Sequence, residues 1–298
     1  MPSTFAIPAL LAPGDTIAVV APSGRFRAED LWRGLAWLRT RYRIRLAPGV
    51  LDRDGYFAGS DARRRGELEG AMRDPEVKAI VAVRGGYGAT RVCDELPWDA
   101  LARHPRWVVG FSDVTALHAM AWRAGVASVH GPNVTGLAAH VPAVRAAWLA
   151  AVERPWESRV WSGLRVLRAG EARGVVVGGN LALLHAMAAA GRLVVPEGAV
   201  LALEDVAEAP YRIDRMLTSL LVGGHLARAS AIVLGGFERC DPGADGRTVG
   251  EVLEDRTRGL GVPVVAGAPF GHAPHNEAFV LGIPARVRGD TVTLGVEG

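Results

Sequence analysis

Ser112 stands in "RWVVGFSDVTALHAMAW", residues 106–122, where an apolar run ends at Gly110 and an amphipathic run begins after Asp113. A serine there has two roles open to it. Its hydroxyl can cap the coming helix by accepting from an unpaired amide of the first turn. Alternatively, a sharp strand–serine–helix turn exposes the hydroxyl as a nucleophile. The amide of Asp113 then points at the same space, near the positive end of the helix, and can hold a developing oxyanion. Val114 occupies the place of the second glycine in the hydrolase pattern G-x-S-x-G, so this segment alone leaves both roles open.

A nucleophilic serine needs a base, and the base needs an acceptor that orients it. Among the eight histidines, His104, His140, His185 and His225 fall in helical or connecting segments and read as structural. His118 shares the helix after Ser112 but lies off its flank. His130, in "SVHGPN", ends a predicted strand and is a candidate substrate or supporting group. His272 and His275 lie in "APFGHAPHNE", after the predicted strand "VPVVAG". Gly271 lets the backbone bend sharply and present His272 to a cleft; His275 has the same opportunity, and spacing does not separate them. Among the acids, Glu204 emerges where the apolar run of "AVLALEDV" stops. That is either a carboxylate aimed from a strand end or a plain polar terminus.

These residues require elements to hold them. "TIAVVAP", "AIVAVRGGYG", "WVVGFSD" and "ASVHGPN" read as buried strands closed by glycine, proline or serine, with helical patterns such as "AEDLWRGLAWLRTR" between them. That alternation predicts a parallel, helix-covered sheet whose site lies beyond the carboxyl ends of its strands. An N-terminal domain is expected over 1–137. A linker is expected over 138–170, where periodicity loosens into Pro, Trp and Ser, and a C-terminal domain over 171–298. The last two strand patterns, "AFVLGIPARVRG" and "TVTLGVEG", predict a hairpin turning at Gly289-Asp290.

Composition excludes several classes. The 298 residues are 49% hydrophobic and 22% charged, a globular balance. No apolar run approaches the roughly 18 residues of a membrane span, and the first residues lack a signal-peptide pattern, so a cytoplasmic protein is expected. Cys93 and Cys240 lack metal-type spacing, so neither a disulfide nor a zinc site is expected. Lys78 is the only lysine among 34 basic residues, which are spread along the chain, and the net charge is only +3. The run Arg63-Arg64-Arg65, with Glu67 and Glu69 behind it, reads as a solvated, ion-paired face. Binding to a nucleic-acid polymer is not expected.

Together, "RGGYGATRV", "GFSDVTALH", "HGP", "GGNLALL", "LALEDVAEAPYRIDRML" and "GHAPHNEAFVLG" resemble the LD-carboxypeptidase family of serine peptidases, in the family's order and over nearly the whole chain. That family also contains the microcin C immunity hydrolases. The resemblance implies an N-terminal parallel-sheet α/β domain and a C-terminal β-rich α/β domain with the active site between them, usually in a dimer. It implies a triad of Ser112 as nucleophile, Glu204 as carboxylate and His272 as base, with no metal or cofactor. It assigns the oxyanion donors to the amide of Asp113 and one from "RGGYG", at Gly85 or Gly86. Neither phosphate-loop pattern fits those glycines, although a plain strand-ending turn does. The implied substrate is a small peptide or muropeptide, murein tetrapeptide above all, cleaved to release a terminal D-amino acid. Arg84 is then the candidate partner of its carboxylate, with Tyr87 and His130 beside it. A second reading within the family is hydrolysis of peptidyl- or aminoacyl-nucleotides, with Trp156 and Trp161 as a stacking platform. A reading of another class is a two-lobed protein that binds a small ligand without reaction.

Overall fold

Short β-branched runs closed by glycine or proline form the strands of two separate sheets. The computed structural model describes residues 5–295. The chain divides into two compact units: Met1–Pro155 with Glu277–Gly282, and Trp156–Asn276 with Ile283–Gly298.

In the first unit, β1 (Thr16–Val20), β2 (Arg43–Leu46), β3 (Val77–Ala82), β4 (Trp107–Gly110) and β5 (Ser128–His130) pair in parallel, in the order β5-β4-β3-β1-β2. Strands β1 and β4 are buried along their whole length and β3 nearly so, as parallel strands between helix layers must be. The outermost of the five on one side, β2, alternates Arg43 and Arg45 with half-buried Ile44 and Leu46. Those charges discourage further strand pairing.

The second unit carries β6 (Arg159–Trp161), β7 (Arg165–Arg168), β8 (Glu171–Asn180), β9 (Ala199–Val206), β10 (Ala229–Glu238) and β11 (Val264–Ala266). Its core is the parallel run β8-β9-β10-β11. The chain then contributes β12 (Phe279–Leu281) to the first sheet, antiparallel to β5, and returns as β13 (Pro284–Arg288) and β14 (Thr291–Leu294). The second sheet has eight strands in the order β6-β14-β13-β8-β9-β10-β11-β7. The two units thus realise the expected pair: a parallel α/β domain and a β-rich α/β domain.

Two details differ from expectation. Residues 138–170 hold a helix, Pro142–Glu153, in the first unit, then β6 and β7 in the second, with the unit boundary at Pro155. The helix, a helix-like piece in the sequence as well, is anchored by wholly buried Trp148; the strands after it are short and alternate with arginine, so they carry no clear periodicity. The last hairpin does turn at Gly289-Asp290, but its first strand starts at Pro284. Gly282, with φ of 96°, separates it from β12. Among the described residues no helix is long and apolar enough to cross a membrane.

Candidate active site

Strand β4 is apolar and buried to Gly110, where the chain turns through Phe111 into a single 3-10 turn, Ser112–Val114, and then the helix Thr115–Arg123. Ser112 sits at φ of 64°, one of three described non-glycine residues with positive φ. A β-carbon in this left-handed region is strained, by about 1–3 kcal/mol, and such strain collects at functional turns. Neither the 3-10 turn nor the helix receives a side-chain cap. Capping therefore does not account for the serine.

The turn is held from below. His118, fully buried, places Nε2 2.9 Å from the Gly110 carbonyl. Burial pushes its imidazole down to about 4, so it stays neutral and donates to that carbonyl. The Phe111 amide donates to Asn133 Oδ1 at 3.3 Å. The carboxyl of Asp113 points inward, 0% exposed, and its Oδ2 accepts from the Ala89 amide at 2.8 Å. Burial pushes this carboxyl up to about 6, against the opposing pull of the Ser23 hydroxyl and the Ala89 amide. The Asp113 side chain thus ties the serine turn to the start of the helix after "RGGYG".

That glycine loop lies directly against the serine. A β-carbon on Gly85 would fall 2.8 Å from Ser112 Cβ and 3.0 Å from its Oγ, so only glycine fits. The Gly85 carbonyl accepts from the Gly24 amide at 3.1 Å, and among the described residues the amides of Gly85 and Gly86 donate to no protein group. Both remain available to a ligand oxygen. Beneath the loop, Arg64 is wholly buried and donates to the carbonyls of Pro22, at 2.5 Å, and Gly88, at 2.8 Å. It stitches the loops after β1 and β3 together. The Arg63-Arg64-Arg65 run is therefore not simply a solvated face; its middle member holds the floor of the site. The basic triplet hid that role, because burial of one member depends on which loop carbonyls it reaches.

The candidate contact residues differ among themselves. Tyr87 is 47% exposed and groups with Phe57 and Tyr56 at ring separations of 5.6 and 6.1 Å. Arg84 is exposed, and its guanidinium donates to the Arg25 carbonyl. His130 is corrected as a substrate contact: it is 0% exposed, stacked on Phe279 at 5.1 Å and edge-on to Phe111 at 5.9 Å. Packing behind the serine turn is its role.

In the second unit, Glu204 lies near the end of β9 with its side chain fully buried. Its Oε2 is 2.7 Å from His272 Nδ1. A carboxylate only accepts, so Nδ1 carries the proton and the lone pair is left on Nε2, the tautomer a base requires. Gly271, at φ of 112°, makes the approach possible: a β-carbon there would lie 3.0 Å from both Glu204 Cβ and Oε2. Asn276 Oδ1 accepts from the Gly271 amide at 3.1 Å and fixes the bend. This buried asparagine was not anticipated, although "PHNE" within a glycine-rich loop is a legible place for such an acceptor. Of the two histidines in this loop, His272 is the one bonded to Glu204, while His275 is exposed. The neighbouring Asp205 accepts from Asn180 Nδ2 and the Ala182 amide, both at 3.0 Å, joining the end of β9 to the helix after β8.

Comparison with known proteins places the chain in a family. The model of the LD-carboxypeptidase N-terminal domain matches residues 17–131, and that of the C-terminal domain matches 173–287. The murein tetrapeptide carboxypeptidase of Pseudomonas aeruginosa is 32% identical, over 92% of this chain and 93% of that protein. The microcin C7 self-immunity protein MccF of Escherichia coli is 26% identical, over 96% of this chain and 94% of that protein. The crystal structure of muramoyltetrapeptide carboxypeptidase from Oxalobacter formigenes superposes with a TM-score of 0.84 at 29% identity, covering 94% of this chain and 97% of that one. With both domain models matched in order and a relative 32% identical over nearly its full length, this chain belongs to the LD-carboxypeptidase family.

Proposed function

We propose that the protein is a serine carboxypeptidase that hydrolyses the LD-peptide bond of murein tetrapeptide and releases its terminal D-amino acid. The observation that carries the reading is the strained Ser112, uncapped and packed against Gly85, whose loop leaves the amides of Gly85 and Gly86 without a protein acceptor among the described residues. In this reading the Ser112 hydroxyl attacks the scissile carbonyl and His272 Nε2 takes its proton. Glu204 holds the ring and stabilises the imidazolium. The amides of Asp113 and of the Gly85–Gly86 turn receive the oxyanion. The imidazolium then protonates the leaving D-amino acid nitrogen, and water, activated by the same histidine, releases the acyl group and restores the serine.

Arg84 and Tyr87 flank Gly85–Gly86 in sequence and are exposed there, which suits Arg84 to a substrate carboxylate and Tyr87 to an apolar stretch of the peptide. The nucleotide reading draws less support. Of its two tryptophans, Trp161 is 5% exposed and stacked on Phe270 at 5.6 Å, so it offers no face to a base, which leaves only Trp156, 54% exposed, for stacking. The family resemblance further implies a cytoplasmic homodimer; sedimentation of the purified chain tests the assembly.

The decisive experiment is mass spectrometry after incubation with murein tetrapeptide ending in D-Ala, beside its L-Ala diastereomer and an aminoacyl-sulfamoyl adenosine. Loss of D-Ala alone is expected. Cleavage of the adenosine compound alone would replace this reading with the nucleotide one. Ser112→Ala must abolish turnover with the fold intact; hydrolysis that survives it removes Ser112 as nucleophile.

A further inference from the structure

In the first unit, the segments after β1, β2, β3 and β5 border an open cavity of about 490 Å³ lined by Arg25, Arg27, Arg53, Arg84, Asp30 and Thr135, among others. Its charge is unbalanced. Arg27 is engaged by Glu29, and Asp30 by Arg33 at 3.3 Å. Among the described residues Arg25, Arg53 and Arg84 have no carboxylate partner; Arg84 reaches only the Arg25 carbonyl. Several other arginines of this unit do find acids: Arg41 with Glu153, Arg45 with Asp74 and Glu76, Arg91 with Asp61. Three uncompensated guanidinium groups around one concave space repel each other, and an anion that enters relieves them. The cavity also adjoins the chemistry, since Arg84 immediately precedes the glycine that touches Ser112.

From the cluster of unpaired arginines in this cavity we infer that it is a subsite for carboxylates of the peptide substrate other than the one beside the scissile bond, so that Arg25 and Arg53 make the enzyme selective for acidic peptides. The inference rests on the peptidase reading above and names its substrate class. A neutral peptide would leave the guanidinium groups unrelieved and gain less from the same backbone contacts. Phosphate shares the charge and geometry that arginine recognises, so the test separates the two sources.

The experiment measures kcat/KM on murein tetrapeptide and on its counterpart with the side carboxylates amidated, for the wild type, Arg25→Ala/Arg53→Ala, and Arg103→Ala. Arg103 is an exposed control in the same unit, paired with Asp99. The double variant should lose about ten-fold or more on the acidic peptide, through KM, and only about two-fold on the amidated one. Arg103→Ala should match the wild type on both. Equal losses on the two peptides, or none, would overturn the inference. If the wild type leaves the tetrapeptide intact, it is the peptidase reading that fails. Calorimetric titration with propane-1,2,3-tricarboxylate and with inorganic phosphate then decides the cavity. Binding of the tricarboxylate that weakens about ten-fold in the double variant retains a carboxylate site. Preference for phosphate, or equal binding by both proteins, rejects it.

Discussion

Gly85 and Ser112 approach so closely that a methyl group on the glycine would lie 2.8 Å from the serine Cβ and 3.0 Å from its Oγ. The contact sets the glycine loop directly against the serine, and in the proposed reaction this loop supplies the second oxyanion donor. Gly85→Ala must push the loop or the serine away. Misplacing one such donor lowers kcat by about 10²–10³. Steady-state kinetics should show that loss, with circular dichroism unchanged. Near-normal kcat would mean that the loop's amides take no part in the reaction.

Gly271 makes the corresponding approach in the other unit. Alanine there would bring a methyl group to 3.0 Å from Glu204 Cβ and Oε2, at a φ of 112° that alanine resists. Gly271→Ala should destabilise the protein by about 1–3 kcal/mol in urea unfolding and abolish turnover. Asn276→Ala, which removes the acceptor for the Gly271 amide, should reduce turnover while retaining the φ that glycine alone permits. If Gly271→Ala retained both stability and rate, the close packing of this loop against Glu204 would have no functional weight.

What local pattern could and could not show is clear from particular residues. The buried strands and their glycine ends are legible because burial on both faces demands continuous apolar runs. The left-handed Ser112 is not, because "GFSD" serves equally well as a cap, and φ is fixed by how Gly110, Asn133 and His118 hold the turn. Strands β12 and β13 form one continuous pattern in the sequence, because alternation says that a strand exists, not which sheet receives it; the pairing of Phe279 with His130 is long-range. Asp113 read as an amide donor, and its inward carboxyl needed a partner, the Ala89 amide, that sequence spacing does not reveal.

Glu204 is wholly buried, with Oε2 committed to His272, and Oε1 has no partner among the described residues. A buried carboxylate oxygen without a hydrogen bond is costly to the fold, so its retention points to function. Glu204→Gln preserves shape but can offer its amide group to Nδ1. That selects the tautomer protonated on Nε2, which cannot accept a proton. Expected are a fall in kcat of about 10³–10⁴ and a stability equal to or about 1 kcal/mol above the wild type. Severe destabilisation with proportionate loss of rate would instead make the residue structural.

Asp113 links the site to pH. Its carboxyl is held up at about 6 by burial, against 3.8 for the ordinary group. The folded state therefore keeps the proton longer than the unfolded chain. The stabilisation is full below pH 3.8 and is lost as pH rises through about 6, by about 3 kcal/mol in total. Asp205, also raised to about 6 by burial, acts in the same sense. His118 acts in the opposite one: held down at about 4, it contributes fully above 6.5 and loses that contribution as pH falls through 4. Asp113→Asn keeps an oxygen for the Ala89 amide and cannot ionise. Urea unfolding at intervals from pH 4 to 7 should show the variant gaining on the wild type by about 3 kcal/mol, mostly between pH 4 and 6. Parallel stability curves for the two proteins would mean that Asp113 ionises as readily folded as unfolded.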